Sequence, residues 1–142
     1  MVEIIAQSKA QTRTLGRQFA RLLRGGEVLA VSGELGSGKT TFVKGLASGL
    51  GIKAKIKSPT FVIFNIWPVA KKKLLFYHFD LYRLGSSRDL SDLGFTEIVK
   101  NKKHITVIEW PAVAKKLLPK RTIYLKFSHD KQPPNNRTIR FS

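Results

Sequence analysis

Residues 33–40 read Gly-Glu-Leu-Gly-Ser-Gly-Lys-Thr, a complete G-x-x-x-x-G-K-[ST] pattern. The residue types at this spacing do one kind of chemistry. Glycines at Gly33, Gly36 and Gly38 let successive backbone N–H groups turn inward around a phosphate chain. Leu35 and Ser37 contribute their amides to the same curve, and Thr41 closes it. The Lys39 ammonium reaches β- and γ-phosphates, and the Thr40 hydroxyl is a ligand for magnesium. A helix that follows directly aims the positive end of its dipole at the same anions.

Such a loop needs a strand before it and a helix after it, and the sequence supplies both. Glu27–Ser32 is a short apolar run suited to a buried parallel strand. From Thr41 to Leu50, Phe42, Leu46 and Leu50 fall on one helical face, and Gly51 suits the C-terminal cap. Upstream, Ser8 and Gln11 form a capping box, and Leu15, Phe19, Leu22 and Leu23 predict an amphipathic helix over residues 9–24, stopped at Gly25-Gly26.

Downstream, the pattern predicts an extended segment from Phe61 to Trp67, a hairpin connection over Pro68–Lys73, and a strand over Lys73–Phe79 that ends at Asp80. Short helical patterns follow within residues 86–100, around Leu90 and Leu93 and then Phe95, Ile98 and Val99. A buried strand, Ile105–Ile108, ends at Glu109-Trp110-Pro111. A brief helix over Ala112–Leu118 and two strands, Thr122–Phe127 and Arg137–Phe141, complete the chain. The polar, proline-containing stretch His129–Asn136 joins the last two. This order predicts an α/β, phosphate-loop NTPase-like three-layer fold, with a mostly parallel central sheet and antiparallel edge strands, over residues 1–142 as one domain.

Ligands in such sheets sit at the carboxyl ends of the strands. Asp80 and Glu109 each directly follow an apolar strand, so both should project toward the phosphate loop. A nucleotide hydrolase needs one carboxylate in the magnesium shell and a group that orients the attacking water. Either acid suits either role. Thr60, after Ser58-Pro59, is placed to sense a γ-phosphate or simply to start a turn. His78, inside an apolar strand, reads as structural. Trp110 reads as core or as an exposed anchor, and Arg83 as a phosphate neutraliser or an acid's partner.

The chain of 142 residues carries 26 basic against 9 acidic side chains, a formal charge of +17, and no cysteine. Disulfides and thiolate metal sites are excluded. His78, His104 and His129 lack zinc-type spacing. The start of the chain lacks secretory features, and no apolar run is long enough to span a bilayer, so a cytoplasmic protein away from membranes is expected. The charge would attract nucleotides, RNA, acidic proteins or anionic lipid without choosing among them. It comes in short groups, among them Lys71–Lys73, Lys102/Lys103 and Lys120/Arg121.

Gly33–Thr41, Ser58-Pro-Thr-Phe61, Tyr77-His-Phe-Asp-Leu-Tyr-Arg83, Leu93-Gly-Phe95 and Glu109-Trp-Pro111, in this order and spacing, resemble the TsaE (YjeE) family over about residues 8–127. The resemblance implies a bacterial cytoplasmic ATPase, with ATP and Mg2+ as cofactors. Such a protein acts beside the TsaD–TsaB heterodimer in making threonylcarbamoyladenosine on tRNA, with weak activity alone. By position it implies Thr40 and Glu109 as magnesium ligands, Asp80 as the residue supporting hydrolysis and Thr60 as part of a switch segment. It places Trp110 near the nucleotide or the partner, and the adenine near Ser8–Thr12 and the C-terminal strands, with Arg137 contributing there. The positive charge is not part of the family pattern and leaves tRNA proximity open; no DNA is expected. Two other readings are a small-molecule or nucleoside kinase, which would need an acceptor pocket and an arginine-bearing lid, and a basic RNA-binding module with a structural nucleotide.

Overall fold

A computed structural model describes residues 2–56, 64–130 and 136–142. The expectations for Ser58–Phe61, Thr60 among them, lie outside the described residues, as does most of the His129–Asn136 stretch. Seven strands form one sheet: β1 (Val2–Ala6), β2 (Val28–Gly33), β3 (Phe64–Val69), β4 (Leu74–Asp80), β5 (His104–Glu109), β6 (Ile123–His129) and β7 (Arg137–Phe141). Their order is β1-β7-β6-β2-β5-β4-β3. The four central strands, β6, β2, β5 and β4, are all parallel. β3 pairs antiparallel at one edge, and β7 and β1 at the other.

Alternation along the central strands builds a core on each face. Leu29, Val31, Phe76, Ile105, Val107, Leu125 and Phe127 pack against helices α1 (Lys9–Ala20) and α2 (Lys39–Gly49). On the other face Val28, Tyr77, Phe79 and Ile108 pack against the short helices α3 (Arg88–Ser91) and α4 (Phe95–Lys100) and a 3-10 helix, Pro111–Leu117. The result is the expected three-layer α/β arrangement with a parallel centre. Among the described residues no helix is long and apolar enough to cross a membrane.

The two long helices touch backbone to backbone. A Cβ at Gly45 would stand 2.0 Å from the Arg13 carbonyl oxygen, so only glycine admits this crossing. It brings the start of α1 beside the start of α2. That start is fixed by the Ser8 hydroxyl, which accepts from the Gln11 N–H at 3.1 Å, while the Gln11 side chain accepts from the Gln7 N–H at 2.7 Å.

Several boundaries differ from expectation. α1 ends at Ala20 rather than at residue 24, because Arg21–Leu23 already turn toward β2. α2 begins at Lys39, two residues early, so Lys39 and Thr40 lie in its first turn. β3 continues through Pro68, which the sequence reading assigns to the connection; an edge strand tolerates a residue without an N–H. Lys73 takes a positive φ of 54° after a single 3-10 turn, Ala70–Lys72, and closes the hairpin. The expected helix over Ala112–Leu118 is a 3-10 helix. β1 has no counterpart in the sequence reading; it alternates weakly and keeps Val2 and Ile5 exposed.

Candidate functional site

β2, β5 and β4 are adjacent and parallel, and each ends in a group singled out by the sequence. β2 runs into the glycine-rich loop, β5 ends at Glu109 and β4 at Asp80. Glu109 is the cross-strand partner of both Val31 and Asp80. The register therefore places the loop and the two acids in one row along the carboxyl edge.

The loop has the backbone that its glycines permit. Gly33, Gly36 and Gly38 have φ of 142°, 77° and 100°. A Cβ at Gly33 would meet the Phe127 carbonyl oxygen at 2.4 Å, whereas nothing lies within 4 Å of that position at Gly36. The first glycine is thus fixed by packing against β6, and Gly36 is open on its outer side. Ser37 is buried, and its hydroxyl has no partner among the described residues. Gly38 caps α2 without a side-chain bond, so the first amides of α2 keep their donors for an anion.

The Lys39 side chain is buried and folds back on its own loop. Nζ donates to the Gly33 carbonyl at 2.6 Å and the Glu34 carbonyl at 2.8 Å, and stands 4.3 Å from the centroid of the Trp110 ring. Burial pulls its pKa below the usual lysine value, while the Glu109 and Asp80 carboxylates oppose that shift. Thr40 donates its hydroxyl to Glu109 Oε1 at 3.2 Å. Glu109 is itself buried, and its other oxygen, Oε2, lies 2.6 Å from Nε2 of His78, which is wholly buried one strand away. An ionised carboxylate only accepts, so Nε2 carries the hydrogen in this pair. Asp80 accepts the Tyr82 N–H at 3.0 Å. Burial raises its pKa above the ordinary carboxylate value, and the neighbouring Glu109 charge adds to the rise, against the Tyr82 hydrogen bond.

These groups border one cavity of about 540 Å3, with Leu35, Gly36, Gly38–Thr41, Asp80 and Glu109 in its wall. Arg137 of β7 completes it; a Cβ at Gly38 would sit 3.4 Å from Arg137 Cγ. Of the residues named from the sequence, Gly33 and Ser37 lie behind the wall rather than in it. Gly33 acts through its carbonyl on Lys39. Lys9 and Thr12 at the start of α1 also line the cavity, the former missed and the latter within the Ser8–Thr12 segment expected near an adenine. Tyr82 lines it too, although its sequence position was ambiguous. Trp110 is neither core nor a free anchor. It is half-buried with φ of 57°, stands against Tyr82 at 4.8 Å between ring centroids, and separates the cavity from an adjoining, almost wholly apolar hollow of about 710 Å3. The positive φ turns the ring back over Lys39, which no local pattern announces. His78 is structural as read, but its structural task is performed on Glu109.

The residues present fit a magnesium nucleotide. A hydroxyl and a carboxylate 3.2 Å apart are the sparse oxygen set that Mg2+ uses when phosphates supply further ligands. The open amide cradle faces the same volume.

Comparison with known proteins identifies the family. The family model described as threonylcarbamoyl adenosine biosynthesis protein TsaE matches residues 6–139. A Treponema pallidum protein named tRNA threonylcarbamoyladenosine biosynthesis protein TsaE is 40% identical over 119 residues, 84% of this chain and 85% of its own length. A Streptomyces coelicolor protein of the same name is 42% identical over 99 residues, 69% of this chain and 66% of its own. The crystal structure of YdiB from Bacillus subtilis superposes with a TM-score of 0.68 at 29% identity, covering 99% of this chain and 83% of that one. With its phosphate loop, strand-end acids and nearly full-length match, this chain belongs to the TsaE family.

Proposed function

We propose that the chain is a magnesium-dependent ATPase that serves threonylcarbamoyladenosine formation on tRNA by acting on the TsaD–TsaB pair. The observation that carries this reading is the convergence of Lys39, Thr40, Glu109 and Asp80 on one cavity beneath the glycine loop. The loop amides and the first turn of α2 hold the phosphates. Lys39 has two carbonyl partners that a phosphate oxygen can replace, exchanging neutral acceptors for a charged one. Thr40 and Glu109 would hold the cation, which would supply charge neutralisation to the phosphates. Asp80, with its raised proton affinity, orients a water and accepts its proton. Lys9, Thr12 and Arg137 shape the far end of the cavity, where the base would lie.

Membership of a family named for threonylcarbamoyladenosine biosynthesis supports the pathway, and the residues above support the chemistry. The test is phosphate release from ATP by the purified chain, with and without TsaD–TsaB. The pair should stimulate release. Lys39→Ala should abolish nucleotide binding, whereas Glu109→Ala should retain binding and lose turnover. Normal hydrolysis by Glu109→Ala within the complex would refute the assignment, and transfer of label to a small acceptor would mark a kinase instead.

A further inference from the structure

The parallel sheet has a second end, and its chemistry is uniform. The loops that enter the four central strands carry Lys120 and Arg121 before β6, Arg21 and Arg24 before β2, Lys100, Lys102 and Lys103 before β5, and Lys71, Lys72 and Lys73 before β4. All ten side chains are exposed. Their strands are consecutive in the sheet, so the four strand starts span roughly 14 Å at the usual interstrand spacing.

The loops are locked together. The Arg121 guanidinium donates to the Gly26 and Val99 carbonyls, each at 2.7 Å, Lys72 donates to the Leu23 carbonyl, and the Gly26 N–H donates to the His104 carbonyl at 2.7 Å. Little at this end neutralises the charge. Glu27 spends its carboxylate on the backbone N–H groups of Arg24 and Gly25. Glu97 is one turn from the end of α4 and forms no ion pair among the described residues. The ion pairs among the described residues involve Glu109, Glu34 and Glu3, none of them with these ten cations.

We propose that this basic pole, opposite the nucleotide cavity, is a contact surface for the phosphate backbone of tRNA. Surplus cations held on a rigid frame without local counter-charges suit a polyphosphate, whose condensed counterions they would release. Structured RNA rather than an anionic membrane is favoured by the lack of an apolar face. Surface binding to lipid draws on an apolar face, and Leu22 is the only large exposed hydrophobic side chain in these loops among the described residues. The choice of tRNA among RNAs rests on the function proposed above, whereas the existence of the surface does not. With the carboxyl edge given to the nucleotide, the chain would engage RNA and ATP at once without competition.

The test compares two variants that shed equal charge: Lys71→Glu/Lys102→Glu/Lys103→Glu/Lys120→Glu at the pole and Arg13→Glu/Arg88→Glu/Lys116→Glu/Lys126→Glu elsewhere. None of these eight side chains serves the cavity, so ATP-analogue binding reports on folding and on the nucleotide site independently of RNA. Binding of an unmodified tRNA transcript is measured from 50 to 200 mM salt. The pole variant should lose about tenfold or more in affinity, and its log–log salt slope should flatten by about three, at 0.7–0.9 per lost phosphate contact. The other variant should change both little. Equal losses in the two variants would overturn the proposal, since a diffuse field would then suffice. So would unchanged tRNA affinity accompanied by lost binding to phosphatidylserine vesicles. A Lys→Gln version of the pole set should give an intermediate loss, and no loss in it would overturn the proposal equally.

Discussion

Replacing His78 tests the internal logic of the site most sharply. Its Nε2 bonds Glu109 Oε2 at 2.6 Å, with the imidazole wholly buried and the carboxylate nearly so. His78→Leu fills most of the volume but leaves Oε2 without its donor. Leaving a buried acceptor without its donor costs about 1–3 kcal/mol, and more when the acceptor is charged. Two features of this site lower that figure. Glu109 borders the cavity, so water can reach the abandoned oxygen. His78 Nδ1 is already buried without a partner, and its removal relieves a standing penalty of about 1 kcal/mol or more. The net loss should be about 2 kcal/mol. Urea denaturation without nucleotide or magnesium measures it, and a cycle with Glu109→Leu isolates the pair. In that background, His78→Leu should cost about 1–2 kcal/mol less than it does alone. Costs that add within about 0.5 kcal/mol would refute the coupling. A functional arm separates orientation from mere stability. His78→Gln can still present an N–H to Oε2, so it should recover much of the Mn2+ affinity of the nucleotide complex that His78→Leu loses.

Two further predictions address packing and charge. Gly45→Ala should lower stability by about 1–3 kcal/mol, the usual range for overpacking, because its methyl would meet backbone rather than a yielding side chain; a melting temperature unchanged within a degree would show that α1 and α2 separate freely. Asp80→Asn should stabilise the nucleotide-free protein near neutral pH while abolishing turnover. The folded-state pKa of Asp80 is raised, so ionisation opposes folding as pH climbs past the unfolded carboxylate value, and the cost is complete above the folded value. The advantage of Asn should therefore fade as pH falls below that range. A benefit that persists unchanged into acid would refute burial of the charge as its source.

What the sequence makes legible here is whatever local chemistry forces. Glycines, Lys39 and Thr40 are contiguous, and the loop they build needs them in that order. Asp80 and Glu109 are legible because an acid after an apolar strand has one place to go in a parallel sheet. The contacts between these parts are not local. Thr40 meets Glu109 across 69 residues and His78 meets it across 31, and both depend on β5 lying between β2 and β4. No spacing encodes that order. β1 escaped notice for a related reason: its partner β7 lies at the other end of the chain, and its exposed apolar side chains break the alternation that marks a half-buried strand. Lys9 reaches the cavity only because Gly16 and Gly45 let α1 cross α2 at backbone contact.

The same strand polarity also explains where the charge sits. Four parallel strands sort their connections by direction, with entering loops at one edge and leaving loops at the other. The leaving ends bring Asp80 and Glu109 to one cavity beside the glycine loop. The entering loops carry ten cations and, in Glu27, one carboxylate already committed to backbone N–H groups. Cations also stand on the leaving loops, at Arg83, Arg88, Lys115 and Lys116, but there Asp80, Asp89, Asp92 and Glu109 accompany them, whereas the entering edge has few acids. At the loop, Lys39 is held beside the carboxylates of Glu109 and Asp80, whereas the lysines of the entering loops form no ion pair among the described residues. On this argument, variants that shed equal charge at and away from the entering edge tell a localised surface from a diffuse field.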